Sequence, residues 1–288
     1  MTVSIVQTEV RVRSGNVDLV ADEFAVSEPR GTVLLLHGGG QTRHSWKATA
    51  QNLAAAGWTA ASFDARGHGE SAWAPDGDYS MDVLVGDLVA IVQRYPNPVL
   101  VGASLGGLTS LVAVGEGRIT ARGIVLVDVA PKLEAAGTDR IGSFMRERAE
   151  TGFADLDEVA AAVSAYNPHR RRPASKEGLQ RNVRLRDDGR WYWHWDPAFM
   201  SGHAIEASRQ EREDRMRAAA RRVSAPTLLV RGNQSDVLTE VGVRDFLELV
   251  PHARFVNVGG AGHMVAGDDN DVFTRAVTDF LADTATQV

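Results

Sequence analysis

The sequence predicts an α/β fold in which a mostly parallel sheet is covered by helices on both faces. Short, continuously apolar runs of strand length recur along the chain, and most are followed by a segment with helical periodicity. Continuously apolar strands are typical of parallel sheets whose two faces are both buried. The chain has 288 residues, of which 44% are hydrophobic, so it can bury a sizeable core. Strand–helix alternation of this kind indicates a parallel sheet.

The predicted elements follow one another in a regular order. Residues 3–13 and 17–24 alternate apolar and polar side chains, which predicts an antiparallel hairpin at a sheet edge. Core strands are then predicted over residues 32–36, 60–63, 99–101 and 123–127, with helices over residues 44–56, 81–95 and 104–116. After an interruption, the alternation resumes with strands over residues 227–230 and 254–258 and helices over residues 239–250 and 270–282.

The interrupting segment differs in composition from the rest of the chain. It is rich in Arg, Glu and Ala and contains the aromatic run Trp191-Tyr192-Trp193-His194-Trp195. We interpret it as a mostly helical insertion between two strands of the sheet. If the aromatic run is extended, its tryptophans share one face. Such a wall suits a flat hydrophobic substrate bound by Trp191 and Trp193, and the alternative is that the tryptophans pack the insertion onto the core.

Composition excludes several classes of protein. The net charge is −6, from 31 basic and 37 acidic residues without long basic blocks, which argues against a nucleic-acid partner. No apolar run approaches the roughly 18 residues of a membrane span, and no secretory signal is recognisable, so we expect a cytoplasmic protein without a membrane partner. The absence of cysteine excludes disulfides and thiolate sites. No pattern indicates the oligomeric state.

A serine between two glycines follows the third core strand. The segment Gly102-Ala103-Ser104-Leu105-Gly106 joins the predicted strand 99–101 to the predicted helix 104–116. A serine on such a tight turn has a strained backbone and an exposed hydroxyl, and the glycines avoid collisions with the neighbouring strand and helix. The alternative is that Ser104 only caps the helix. Its context favours a nucleophile.

A serine hydroxyl is inert near neutral pH unless a base takes its proton. A histidine that follows the last predicted strand is the candidate base. His263 lies on a glycine-rich loop after residues 254–258, at the carboxyl edge of the sheet. An acid is needed to orient it. We favour Asp236, which lies past strand 227–230. Asp128, at the carboxyl end of strand 123–127, is the alternative acid and otherwise a polar group of the substrate pocket.

A glycine-rich turn, Leu36-His37-Gly38-Gly39-Gly40, ends the first core strand. Glycines there let backbone N–H groups approach a tetrahedral oxyanion, and the N–H of Leu105 is a second candidate donor. A phosphate-binding loop is excluded because no lysine follows and no Gly-x-Gly-x-x-Gly pattern is present. His68 has no second ligand at metal-binding spacing, so we expect neither a metal nor a cofactor.

Five motifs follow one another along the chain, namely His37-Gly38, Asp64-x-Arg66-Gly67-x-Gly69-x-Ser71, Gly102-x-Ser104-x-Gly106, Ser235-Asp236 and Gly262-His263. In this order they resemble the α/β-hydrolase superfamily, in the branch of cofactor-free haloperoxidases and perhydrolases, epoxide hydrolases and meta-cleavage C–C hydrolases. The resemblance implies an eight-stranded, mostly parallel sheet flanked by helices. It also implies a helical cap over residues 131–220, inserted after the sixth strand into a core of residues 1–130 and 221–288.

Carried over to this sequence, the resemblance makes Ser104 the nucleophile, Asp236 the acid and His263 the base. It also implies that Gly39 and Leu105 donate their N–H groups to the oxyanion. We therefore expect a serine hydrolase that cleaves a carboxylic ester or lactone of a hydrophobic small molecule through an acyl-enzyme. The same triad leaves C–C bond hydrolysis of the meta-cleavage type and perhydrolysis as alternatives, and a slow-turnover ligand sensor is a further, less favoured one.

Overall fold

The computed structural model describes residues 4–166, 176–200, 208–259, 262–263 and 271–285. In these ranges the strands are β1 (Ile5–Ser14), β2 (Val17–Val26), β3 (Thr32–Leu36), β4 (Thr59–Phe63), β5 (Val99–Ala103), β6 (Gly123–Val127), β7 (Val183–Leu185), β8 (Trp191–Trp193), β9 (Thr227–Gly232) and β10 (Arg254–Val258). The helices are α1 (Lys47–Ala55), α2 (Met81–Arg94), α3 (Leu105–Gly115), α4 (Ala135–Arg146), α5 (Leu156–Tyr166), α6 (Lys176–Gln180), α7 (Arg209–Ala220), α8 (Glu240–Leu249) and α9 (Asp271–Ala285).

Eight of the strands form one sheet in the order β1-β2-β4-β3-β5-β6-β9-β10. The pairs β1–β2 and β2–β4 are antiparallel, and the remaining pairs are parallel. The predicted edge hairpin and the predicted mostly parallel eight-stranded sheet are therefore confirmed. In register, Ala103 of β5 is opposite Val127 of β6, which is in turn opposite Val230 of β9. The residues that follow these three strands consequently meet at one edge.

Both faces of the central part of the sheet are buried, which explains the uninterrupted apolar runs of its strands. In β3, Val33 and Leu35 pack into a cluster with helices α1 and α9, whereas Leu34 and Leu36 pack into a cluster with α2. A third cluster joins β6 and β9 to α8. The central strands β3, β4, β5, β6 and β9 thus alternate between two cores instead of between core and solvent, whereas the edge strands β1 and β10 are largely exposed. No helix in the described ranges is both long and apolar enough to cross a bilayer.

The insertion lies between β6 and β9, after the sixth strand of the chain. It has its own apolar cluster. Its helices are accompanied by a short antiparallel hairpin of β7 and β8, and the sequence did not predict this hairpin.

Helix α7 falls within the predicted cap, but it packs on α3 of the core. A Cβ at Gly115 of α3 would stand 2.2 Å from the backbone oxygen of Ala219, so the two helices touch through small residues. By packing, α7 belongs to the core.

Candidate active site

Ser104 occupies a strained turn between β5 and α3. Its φ is +45° and its ψ is −111°, a region that non-glycine residues rarely adopt. A Cβ at Gly102 would stand 2.5 Å from the backbone of Gly106, and a Cβ at Gly106 would stand 2.5 Å from the oxygen of Leu36. Both glycines are therefore required by close approach of backbone, as the sequence predicted. The turn presents the side chain of Ser104 at the carboxyl edge of the sheet.

His263 pairs with Asp128 at the same edge. The Nδ1 atom of His263 lies 2.7 Å from Oδ2 of Asp128. A carboxylate only accepts hydrogen bonds, so Nδ1 carries the hydrogen and Nε2 is left as the basic nitrogen. The His263 side chain is 11% exposed and that of Asp128 is fully buried. The imidazole therefore has one fixed tautomer and one nitrogen available for proton transfer.

Asp128 is held rigidly by its backbone and by its neighbours. It directly follows β6 with a φ of +52°, a conformation that aspartate tolerates better than most residues. Its Oδ1 atom accepts a hydrogen bond of 3.0 Å from the N–H of Gly232, and its Oδ2 atom accepts one of 2.5 Å from Oγ of Ser235. Its own N–H donates to the oxygen of Val230 at 2.7 Å. These bonds aim the carboxylate at His263.

Asp236, the acid that the sequence favoured, lies in a different environment. It forms a two-point ion pair with Arg140 of α4, with Nε–Oδ2 and Nη2–Oδ1 distances of 2.9 and 3.0 Å. Its side chain is 48% exposed. The expected pairing of Asp236 with the histidine is therefore wrong in this structure. The reason is position, because Asp128 follows its strand immediately, whereas Asp236 lies four residues beyond the end of β9 and faces the insertion.

Two backbone N–H groups near Ser104 are available as donors. A Cβ at Gly38 would stand 3.2 Å from Cβ of Ser104, so the glycine turn lies against the nucleophile candidate. The N–H of Gly38 is taken by Gln41, and that of Gly40 by His68. Among the described residues, no acceptor is hydrogen-bonded to the N–H of Gly39 or of Leu105. They are the two groups that the resemblance implies as oxyanion donors.

A cavity of about 730 Å³ opens above this edge of the sheet. Its core wall includes the turn 38–40, Ser104, Leu105 and His263. Its insertion wall is mainly apolar and includes Ile141, Phe144, Met145, Trp193, Trp195 and Phe199, with Arg181 and Asn182 among its polar members. Ser104 and His263 thus face one space. No hydrogen bond joins Ser104 Oγ to His263 in the described structure, and such contacts often tighten only when substrate binds.

Only one of the two predicted substrate-binding tryptophans reaches the cavity. Trp193 lines it and stacks on Trp195, with ring centroids 4.9 Å apart. Trp191 does not line it and instead bridges to Phe153 within the insertion. The two tryptophans share a face of β8, but Trp191 lies at the outer end of the hairpin, opposite the exposed Leu185. Asp128 does not line the cavity either, because it is fully buried behind His263.

Three buried histidines surround the glycine turn. Burial lowers the pKa of His37 to about 4 and that of His68 to about 3, and it holds the pKa of His194 well below its usual value. All three are therefore neutral near pH 7. Each has one ring nitrogen placed to accept and one to donate a hydrogen bond to backbone. His37 and His68 are thus structural groups, not proton carriers.

The motif Asp64–Ser71 forms part of a buried ionic network beneath the site. Asp64 accepts hydrogen bonds from the backbone N–H and from the guanidinium of Arg43, at 2.6 and 2.5 Å. Arg66 forms a two-point pair with Asp87 of α2, with both contacts at 2.6 Å. The network contacts neither Ser104 nor His263. It supports the loops that carry the site.

The arrangement has the parts that acyl transfer requires. A hydroxyl on a strained turn, an imidazole whose Nδ1 is paired with a carboxylate and the backbone of Gly39 and Leu105 border one cavity. Sequence analysis did not single out His194, Met145 or Phe199, which come from the insertion. Patterns could not indicate them, because each reaches the site only through tertiary packing. The position of Asp128 directly after the apolar strand 123–127 is the sequence signal that could have ranked it first.

Comparison with known proteins identifies the family. A family model described as the alpha/beta hydrolase fold matches residues 31–269. Esterase Rv0045c of Mycobacterium tuberculosis is 32% identical over 267 residues, which cover 90% of this chain and 84% of that protein. A crystal structure of that esterase superposes with a TM-score of 0.75 at 28% identity, covering 96% of this chain and 92% of the other.

Two further similarities point to the same fold. The 3-hydroxybutyrate-oligomer hydrolase of Cupriavidus necator is 28% identical over 214 residues, which cover 69% of this chain and 71% of that protein. The crystal structure of E-2-(acetamidomethylene)succinate hydrolase superposes with a TM-score of 0.83 at 24% identity, covering 96% of this chain and all of the other. The family model, the esterase and the sheet topology agree, and this chain belongs to the α/β-hydrolase family.

Proposed function

We propose that the protein is a serine ester hydrolase with a triad of Ser104, His263 and Asp128. The observation that carries the proposal is the His263–Asp128 pair, which lies at the same cavity as a serine with a strained backbone. Asp128 replaces Asp236 in the triad that the motifs suggested. Similarity to an esterase and to a hydrolase of hydroxybutyrate oligomers supports ester bonds as the target.

The proposed reaction proceeds in two halves. Nε2 of His263 takes the proton of Ser104 Oγ as that oxygen attacks the ester carbonyl, and Asp128 stabilises the resulting imidazolium. The N–H groups of Gly39 and Leu105 bind the oxyanion. Collapse expels the alcohol, which takes the proton from His263. Water, deprotonated by the same nitrogen, then attacks the acyl-enzyme and releases the acid with Ser104 restored.

The cavity favours a hydrophobic small-molecule ester or lactone. Its insertion wall offers stacked tryptophans and other apolar side chains to an acyl or alcohol group. Among the described residues that line it, Lys47 and Arg181 carry full charges and no side chain is acidic. This charge distribution favours neutral or carboxylate-bearing esters over cationic ones. We assign the role of a cap over the cavity to the insertion.

Activity-based labelling tests the proposal. A fluorophosphonate should label the wild-type protein at one site, and Ser104→Ala should abolish both labelling and hydrolysis of an aryl butyrate, a loss on the order of 10⁶ in turnover. Ser45→Ala is the matched control, because Ser45 lines the same cavity without lying on the turn. Equal hydrolysis by wild type and Ser104→Ala would refute the proposal. Faster turnover of a vinylogous diketone than of any ester would assign C–C bond hydrolysis instead.

A further inference from the structure

We propose that His194, which comes from the insertion, acts with His68 as a positioning residue that fixes the backbone of the oxyanion turn. The turn consists of residues 38–41. The inference rests on the proposed function, because it concerns the donor Gly39. The insertion thereby contributes to the chemistry by holding that donor, as well as forming one wall of the cavity.

Successive peptide groups of the turn are each held by a different imidazole. Nδ1 of His37 lies 2.8 Å from the oxygen of Gly38, and that oxygen belongs to the peptide group that carries the N–H of Gly39. The N–H of Gly40 donates to Nε2 of His68 at 3.1 Å. The oxygen of Gly40 lies 3.3 Å from Nε2 of His194. Three consecutive peptide planes are thus oriented by buried side chains.

The second nitrogen of each ring fixes which nitrogen carries the hydrogen. Nδ1 of His194 accepts the N–H of Gly69 at 2.9 Å, so its Nε2 is protonated and donates to Gly40. Nδ1 of His68 lies 3.1 Å from the oxygen of Arg66, so its Nε2 is unprotonated and accepts from Gly40. The two imidazoles therefore hold opposite ends of one residue. A single change of tautomer would break one of these contacts.

The rings also pack against each other and bind the insertion to the core. The ring centroid of His68 lies 5.3 Å from that of His37 and 5.8 Å from that of His194. Next to His194, the N–H of Asp196 donates to the oxygen of Gly67 at 2.8 Å. The exposed fractions of the three histidines are 2% or less, so water cannot replace the contacts. Movement of the insertion at His194 consequently moves Gly40, the neighbour of the oxyanion donor.

Two isosteric variants separate positioning from packing. In His194→Gln, the amide nitrogen stands where Nε2 stood and can still donate to Gly40. In His194→Asn, the shorter amide can accept from Gly69 but cannot reach Gly40. We expect His194→Asn to lower kcat about tenfold to thirtyfold with KM within twofold, a smaller loss than the 10²–10³ of removing an oxyanion donor. We expect His194→Gln to retain kcat within threefold.

Binding of a boronic acid gives the second readout, because its tetrahedral adduct on Ser104 occupies the oxyanion site. Its affinity should fall in parallel with kcat in His194→Asn and recover in His194→Gln, whereas affinity for the neutral alcohol product should not change. Equal kcat and boronate affinity in both variants and wild type, with fluorophosphonate labelling intact, would overturn this inference and leave the proposed function standing. Equal losses in both variants, with a higher KM, would also overturn it, as the signature of packing alone.

Discussion

The two walls of the cavity are built on different principles. In the core wall and directly behind it, backbone geometry sets the reacting groups: Ser104 and Asp128 each follow a strand with a positive φ, and glycines allow the close approach around them. In the insertion wall, side-chain packing sets the surface, as in the stacking of Trp193 on Trp195. Backbone-held groups tolerate little change, whereas packed side chains can be exchanged at modest cost. The chemistry is therefore expected to reside in the core, and selectivity in the insertion.

The largest effect should follow from replacing Asp128. Asp128→Asn preserves the shape of the side chain but removes the charge and favours the wrong tautomer of His263. We expect kcat for an aryl ester to fall about 10⁴-fold, by analogy with the same change in the serine protease triad. Steady-state kinetics at one pH measures it. A loss of less than tenfold in a folded variant would place the orienting acid elsewhere.

Acid should destabilise the core side of the site through the buried imidazoles of His37 and His68. The folded-state pKa values of His37 and His68, about 4 and 3, lie below that of a free histidine. The unfolded chain therefore binds these protons first as the pH falls below about 6.5, and the stability is lost progressively towards pH 4. Each group should lower the free energy of unfolding by about 1.4 kcal/mol per pH unit in that range. Urea titrations at pH 7, 6 and 5 measure this slope.

Two variants calibrate the acid effect. His37→Gln should reduce the dependence of the unfolding free energy on pH, because one buried imidazole is removed. His252→Gln, at an exposed position, controls for the general effect of a His-to-Gln substitution on stability. The same slope in His37→Gln as in wild type would show that His37 does not carry the acid sensitivity.

A smaller effect is expected in the insertion wall. Trp193→Phe removes part of a stacked ring and the hydrogen bond of 2.9 Å from Nε1 to the oxygen of Glu147. An aromatic contact contributes about 1 kcal/mol, so KM for an aryl ester should rise roughly fivefold while kcat stays within threefold. Trp191→Phe is the matched control, because Trp191 does not line the cavity. A change in KM of equal size in both variants would disprove the assignment of Trp193 to the substrate wall.

The smallest effect is expected for Asp236, although the motif ranked it first. Asp236→Asn removes a half-exposed ion pair with Arg140, which contributes about 0–1 kcal/mol. We expect kcat/KM to stay within threefold. The thermal midpoint should fall only slightly, because Arg140 keeps its contacts with Tyr166 of α5. Thermal unfolding and ester kinetics of this variant give both values. A hundredfold loss of kcat with unchanged folding would reverse the assignment of the two aspartates.

The fold could be read from the sequence because its signals are local. Apolar runs predicted β3 and β6 to the residue, and the resumed strand–helix alternation predicted β10 with the same bounds. Helical periodicity predicted α2 to within one residue of its end. The turn at Ser104 was predictable for the same reason, since its glycines lie two residues away. The hairpin of β7 and β8 was not, because strands of three residues leave too short a pattern.

The remaining differences arise from tertiary geometry. The choice between Asp128 and Asp236 depends on which carboxylate lies next to His263 in three dimensions, and that is Asp128, at 2.7 Å. The choice between Trp191 and Trp193 depends on which end of a hairpin faces the cavity, although both share a face. The Arg-rich α7 resembled the insertion in composition, yet Ala219 fits against Gly115 of the core.

The hydrogen bond between His263 and Asp128 can be observed directly by proton NMR. An imidazole N–H that donates to a buried carboxylate gives a far-downfield resonance, which His263→Ala would assign by its loss. We predict that this resonance is present in wild type and in Asp236→Asn and absent in Asp128→Asn. A resonance that survives in Asp128→Asn but disappears in Asp236→Asn would contradict the account.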